Sequence, residues 1–186
     1  MKNIAIFASG NGSNFEAIAK AVKSGEINAN ISLLVCDKPE AKVTSRAGRL
    51  SVPIFVCDSK DYPNRAAHES RILSALEDAG VEFIVLAGYM RIVGKTLLDT
   101  FEGRIINIHP SMLPDFPGLD AIEKAFSADV KQTGVTIHYI DSGVDTGPIV
   151  VQEMIDILPE DTLESLEARV HEVEHRLYVK VLKDLL

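Results

Sequence analysis

Asn107 and His109 stand two residues apart in the run Ile105-Ile106-Asn107-Ile108-His109-Pro110. Residues two apart on an extended strand point to the same face, so the amide and the imidazole are expected side by side at the strand's carboxyl end. Asparagine offers a neutral donor of fixed orientation, and histidine can donate or relay a proton near neutral pH. Together they suit a reaction that develops negative charge on oxygen. Asp145, in an acidic stretch downstream, would favour the imidazolium and orient the ring if it lay beside His109. No serine or cysteine is placed as an obvious nucleophile, which favours direct transfer between two bound substrates over a covalent intermediate. A plainer account makes Asn107 a turn former, His109 a core histidine and Asp145 a loop cap. It explains each residue alone better than all three together at a strand end. His138 lies on the following strand and either faces Asn107 or fills a core position.

Ser9-Gly10-Asn11-Gly12-Ser13-Asn14 follows an apolar run and opens a stretch of helical period. Glycines permit a tight turn, and a helix start then offers free N–H groups and a positive dipole end to an anion. A dinucleotide fingerprint requires a third glycine where this chain has Phe15. Phosphate binding and an ordinary turn with Ser13 or Asn14 as helix cap both fit the spacing. Gly88-Tyr89-Met90-Arg91-Ile92 either lines a pocket for a flat, partly apolar ligand or is an ordinary strand-to-helix turn. Arg65 reads as a solvated arginine in a loop. His171 and His175, in His171-Glu172-Val173-Glu174-His175, have a spacing that superficially suggests a metal. The apolar stripe of the helix leaves them on a flank, with no glutamate expected as general base beside an open metal site, so a solvated or core role is expected and no metal site.

The elements that must position these residues alternate. Ile4–Ala8, Ile31–Cys36, Ile54–Val56 and Phe83–Ala87 are nearly continuous apolar runs, as in strands covered on both faces. Between them Phe15–Val22, Val43–Leu50 and Ala66–Ala79 carry apolar residues three or four apart. Gly25 and Gly80 fall where helix C-terminal caps belong, and Pro63 is placed to open the third helix. The alternation predicts crossovers and a parallel sheet. Arg104–Ile108 makes a fifth strand. Residues 110–120, with three prolines and a glycine, form a loop. Val135–Ile140 and Ile149–Ile155 are strands whose short connection, Asp141 to Gly147, predicts an antiparallel pair. A helix from about Thr162 carries the stripe Leu163, Leu166, Val170, Val173, Leu177 and Val181, with Asp161 and Glu164 as a capping box. The expected architecture is α/β: a single-domain, Rossmann-like open sheet, mostly parallel, antiparallel in its C-terminal part, with helices on both faces.

The 186 residues suit one domain with one sizeable core. No apolar run approaches the roughly 20 residues needed to span a bilayer, and the first residues read as a strand rather than a signal peptide. Two cysteines, Cys36 and Cys57, form no Cys-x-x-Cys motif, which points away from a disulfide framework and toward a reducing, cytoplasmic setting. A net charge of −8 opposes non-specific nucleic-acid binding, so an anionic substrate must be held by local groups.

Four segments then carry a resemblance: Ser9 to Asn14, Leu86-Ala87-Gly88-Tyr89-Met90-Arg91, Asn107-Ile108-His109-Pro110-Ser111-Met112-Leu113-Pro114 with Pro117-Gly118, and Asp145-Thr146-Gly147-Pro148-Ile149. In this order they resemble the phosphoribosylglycinamide formyltransferases, folate-dependent enzymes of purine synthesis, over essentially the whole chain. The resemblance implies a single formyltransferase domain over residues 1–186. Its substrates would be glycinamide ribonucleotide and, as co-substrate, 10-formyltetrahydrofolate. The enzyme would be a cytoplasmic monomer or homodimer with no metal, nucleic-acid or membrane partner. It assigns catalysis to Asn107, His109 and Asp145, with His138 in support. It assigns ribonucleotide contacts to Gly12, Ser13, Asn14 and Glu174, and the folate surroundings to Arg65, Met90, Arg91, Ile92, Val93, Asn107, Asp141 and Asp145. The chain departs from some relatives at Leu119-Asp120-Ala121-Ile122-Glu123, where they carry histidines. Two other readings compete: a formyltetrahydrofolate hydrolase, which is expected to carry an extra N-terminal domain, and a non-catalytic nucleotide-binding module, which leaves Asn107, His109 and Asp145 unexplained.

Overall fold

The computed structural model describes residues 1–186. Seven strands form one sheet: β1 (Lys2–Ala8), β2 (Ala29–Cys36), β3 (Ile54–Val56), β4 (Phe83–Leu86), β5 (Ile105–His109), β6 (Gln132–Tyr139) and β7 (Ile149–Asp156). Their order across the sheet is β3-β2-β1-β4-β5-β6-β7. The first five are mutually parallel, and β6 runs antiparallel to both β5 and β7. The expected fold class is therefore observed, with β3 at its expected bounds and the other strands shifted by at most three residues at an end. Ile4 to Ala8 are fully buried, as a central strand covered on both faces requires.

Six helices cover the sheet: α1 (Ser13–Lys23), α2 (Lys42–Arg49), α3 (Arg65–Asp78), α4 (Lys95–Thr100), α5 (Ala121–Ser127) and α6 (Leu163–Leu185). The larger core cluster packs α1, α2, α5 and α6 on one face, through Phe15, Ile18, Val43, Ile122, Leu166 and Leu177. A smaller cluster packs α3 and α4 on the other, through Ile72, Leu76 and Leu97. The chain thus changes faces between β1 and β4, neighbours in the sheet. A crevice opens at the carboxyl ends of such strands, because consecutive connections leave in opposite directions.

Several local expectations need correction. The third helix is capped by Asn64, whose side chain accepts from the Ala67 N–H at 2.9 Å, so Pro63 only precedes the cap. The last helix is capped by Thr162 with Ser165 in a reciprocal box rather than by Asp161 with Glu164. Asp161 instead pairs with Arg169. Helices α4 and α5 were not expected, being only six and seven residues long. Gly25 and Gly80 do take the left-handed conformation after their helices (φ 81 and 63). No helix is long and apolar enough to cross a membrane.

Candidate active site

β1 delivers the chain into the glycine loop. Gly12 adopts φ 79, and a Cβ there would lie 2.5 Å from Val43 Cγ2 and 2.9 Å from Val43 Cα. Both the dihedral and the space exclude other residues. Gly12 is also the helix N-cap, with no side-chain cap bond, so neither Ser13 nor Asn14 caps α1. The first amides of α1 therefore have neither intrahelical nor side-chain-cap partners, and Gly12, Ser13 and Asn14 line a cavity. Across it stands Glu174 of α6, buried, whose Oε2 lies 3.4 Å from Asn14 Nδ2 and 2.8 Å from His171 Nδ1. Asn14 Oδ1 is buried and has no partner. The hydrogen bond to Glu174 outweighs partial burial and holds the His171 imidazole above its ordinary pKa. His171 also lines the cavity, which sequence reasoning missed. His175 does not, and burial pushes its ring down.

β5 brings Asn107 and His109 to the same cavity as two residues on one strand face. On the antiparallel neighbour β6, His138 is paired directly opposite Asn107. The Asn107 amide nitrogen lies 3.3 Å from His138 Nε2, and His138 Nδ1 lies 2.9 Å from its own strand's Tyr139 carbonyl. That carbonyl takes the Nδ1 proton, so Nε2 accepts one N–H of the amide and leaves the other free. His109 is buried between two oxygens: Nε2 is 2.8 Å from the Phe116 carbonyl and Nδ1 is 3.4 Å from Asp145 Oδ2. Asp145 also accepts the Gly118 N–H at 2.8 Å, while His138 Nε2 is 3.7 Å away, beyond hydrogen-bond reach. Burial raises the Asp145 carboxyl, yet the Gly118 N–H it accepts and the neighbouring His109 ring outweigh it and hold the group below its ordinary value. Asp145 and Phe116 are both left-handed (φ 54 and 48), so the loops carrying them turn sharply onto the histidine.

The remaining wall comes from the segment after β4 and the loop between β6 and β7. Met90, Arg91, Ile92 and Val93 line the cavity, with Met90 56% and Ile92 50% exposed at its mouth. The segment is tied down at both ends. The Met90 N–H donates to Ser9 Oγ at 2.9 Å, and the Gly94 N–H donates to the buried Glu69 carboxylate at 2.8 Å. Opposite, Asp141 Oδ1 accepts from Thr146 Oγ1 at 2.6 Å and from the Gly143 N–H at 2.9 Å, which lowers its pKa. Arg65 is the one expected residue outside the lining; its stem lies beside Gly94, behind the wall. The cavity measures about 600 Å³, within the ordinary range for small-molecule sites. One end offers amides to an anion, the other offers apolar surface, and the amide, imidazole and carboxylate lie between.

Residues 2–182 match the family model described as Formyl transferase, and the chain belongs to that family. Among its relatives, the phosphoribosylglycinamide formyltransferase of Bacillus subtilis (strain 168) is 54% identical over 186 residues, covering 100% of this chain and 95% of the relative. The crystal structure of phosphoribosylglycinamide formyltransferase from Bacillus Halodurans superposes with a TM-score of 0.97 at 53% identity, covering 100% of this chain and 95% of that one. Glycinamide ribonucleotide transformylase 1 from Geobacillus kaustophilus gives 0.97 at 55% identity, covering 100% and 99%.

Proposed function

We propose that residues 1–186 act as one cytoplasmic formyltransferase domain that moves the formyl group of 10-formyltetrahydrofolate to the primary amine of glycinamide ribonucleotide. The observation that carries this reading is the convergence of Asn107, His109 and Asp145 in one cavity with the α1 amides and the apolar wall at Met90 to Val93. The phosphate is held at Gly12, Ser13 and Asn14, and Glu174 faces the ribose or glycinamide. The folate lies against Met90, Arg91, Ile92 and Val93 and the loop from Asp141 to Asp145.

The amine attacks the formyl carbon, forming the new C–N bond and placing negative charge on the formyl oxygen. The free Asn107 N–H and the His109 imidazolium stabilise that charge, and the Asp145 carboxylate keeps the ring protonated and oriented. His109 transfers its Nε2 hydrogen bond from the Phe116 carbonyl to the developing oxyanion. Collapse breaks the carbon bond to the folate nitrogen, and the proton lost by the amine reaches that nitrogen through water near Asp145. Orienting two reactants is worth roughly 7–11 kcal/mol, and one oxyanion donor roughly 3–4 kcal/mol.

Incubating the protein with 10-formyltetrahydrofolate, with and without glycinamide ribonucleotide, tests the proposal. Folate product is expected only when the nucleotide is present. Product in its absence would make the chain a hydrolase, and no product in either case would leave a binding module.

A further inference from the structure

Arg46 belongs to α2 and does not line the cavity, yet its whole guanidinium is spent on the glycine loop and its helix. Nε donates to the Asn11 carbonyl at 2.7 Å, Nη2 to Asn11 Oδ1 at 3.1 Å, and Nη1 pairs with the Glu16 carboxylate. One turn earlier on α2, the Val43 N–H donates to the Gly10 carbonyl at 3.0 Å. Val43 is also the residue on which Gly12 packs so closely. A loop that turns its N–H groups toward an anion must turn carbonyls away from it, and those carbonyls need donors. α2 supplies them.

Glu16 makes the electrostatic case. It is the one acidic residue in the first turn of α1, where the helix dipole and free amides favour an incoming anion and a side-chain carboxylate opposes it. The Glu16 and Arg46 side chains are only 23% and 24% exposed, so water screens them poorly. Lys20 also reaches Glu16, at 2.9 Å, but at 66% exposure it is the weaker counter-ion.

We propose that Arg46 is a positioning residue for the nucleotide phosphate, holding the glycine loop in its amide-inward form and cancelling the Glu16 charge beside it. The inference rests on the reading that Gly12, Ser13 and Asn14 take the phosphate. Steady-state kinetics of the full chain test it. Arg46→Met should raise the KM for glycinamide ribonucleotide about tenfold, the loss expected when charge-assisted hydrogen bonds go. The folate KM should stay the same and kcat at saturation should stay near wild type. Arg46→Lys should recover part of the loss, since it restores charge without the fork. Adding Glu16→Gln to Arg46→Met should recover part as well, because it removes the uncompensated carboxylate. An unchanged nucleotide KM in Arg46→Met, or equal rises for both substrates, overturns the proposal. If Arg46→Met does not fold, the nucleotide-specific rise is read from Arg46→Lys, and its absence there overturns the proposal equally. Gly12→Val in parallel separates the two layers. Intact nucleotide affinity in that variant removes the phosphate cradle itself. A loss there with none in the Arg46 variants removes only the brace.

Discussion

Asp145 faces His109 through one oxygen and receives a backbone N–H from Gly118 on that same oxygen. Its lowered pKa keeps it ionised throughout the neutral range, so its charge is constant wherever the enzyme is assayed. Asp145→Asn keeps the shape and removes the charge. Turnover should fall by orders of magnitude while both substrates still bind, since an interaction felt mainly in the transition state is lost. Wild-type kcat in that variant would remove the role assigned to the carboxylate. His171 gives the molecule a pH dependence of the opposite sign. Its folded pKa is raised, so its stabilising pair with Glu174 is fully present below the unfolded value of about 6.5 and is lost as pH rises through the higher folded value. Urea unfolding of wild type against His171→Gln should therefore show a gap that is widest in mildly acidic buffer and closes toward alkaline pH. A gap independent of pH would show that the pair contributes nothing through charge. The sequence made Asn107 and His109 readable because a strand's alternation needs no tertiary knowledge. The place of His171 depends on which flank of α6 meets the glycine loop, a packing fact. The Phe116 carbonyl and the Gly118 N–H are backbone groups and leave no mark in residue type.

At the scale of elements, the loop between β1 and α1 owes its shape to one residue. Gly12→Val meets both a left-handed dihedral and the Val43 side chain, so it should abolish tight nucleotide binding while leaving folate binding nearly intact. Calorimetry with each ligand distinguishes this from general unfolding, which would cost both equally. The long elements were legible from the sequence because their periodicity runs over several turns or a full apolar strand. The helix α4 buries only Leu97 within its six residues, and α5 begins at once after a proline-rich loop, so neither is long enough to show a period. The helix starts were misassigned for a different reason. Thr162 stands next to Asp161, another good capping residue, and Asn64 next to Pro63, a residue favoured in the first turn, and which residue takes the cap is decided by the direction from which the chain arrives.

The whole molecule carries a net charge of −8, yet the uncapped amides of α1 at the cavity act over a few ångströms, and the surface charge is screened beyond about 10 Å. At the other end, Met90, Ile92, Leu119 and Val144 are each about half exposed or more around the cavity mouth and form an apolar rim. A folate analogue soaked into crystals should cover this rim, with its pteridine between Met90 to Val93 and the loop Asp141 to Asp145. Density across α6 instead would remove the assignment. The single sheet and its antiparallel C-terminal part were readable from element order and loop length, whereas the meeting of four separate segments in one crevice follows from strand order, which no local pattern encodes. The helix α6 joins those segments, for it carries Glu174 and, one turn later, Tyr178, whose buried hydroxyl donates to the Leu86 carbonyl at 2.9 Å and lies 3.3 Å from the Ile106 carbonyl. It therefore ties β4 and β5 together while forming one wall of the cavity. In chain order α6 follows every strand. On the ribosome, a chain arrested before Thr162 holds the sequence of every strand and yet has neither this tie nor this wall, and the sheet face that α6 covers through Leu166, Val170 and Leu177 is bare. The cavity is therefore completed only by the last element of the chain to emerge.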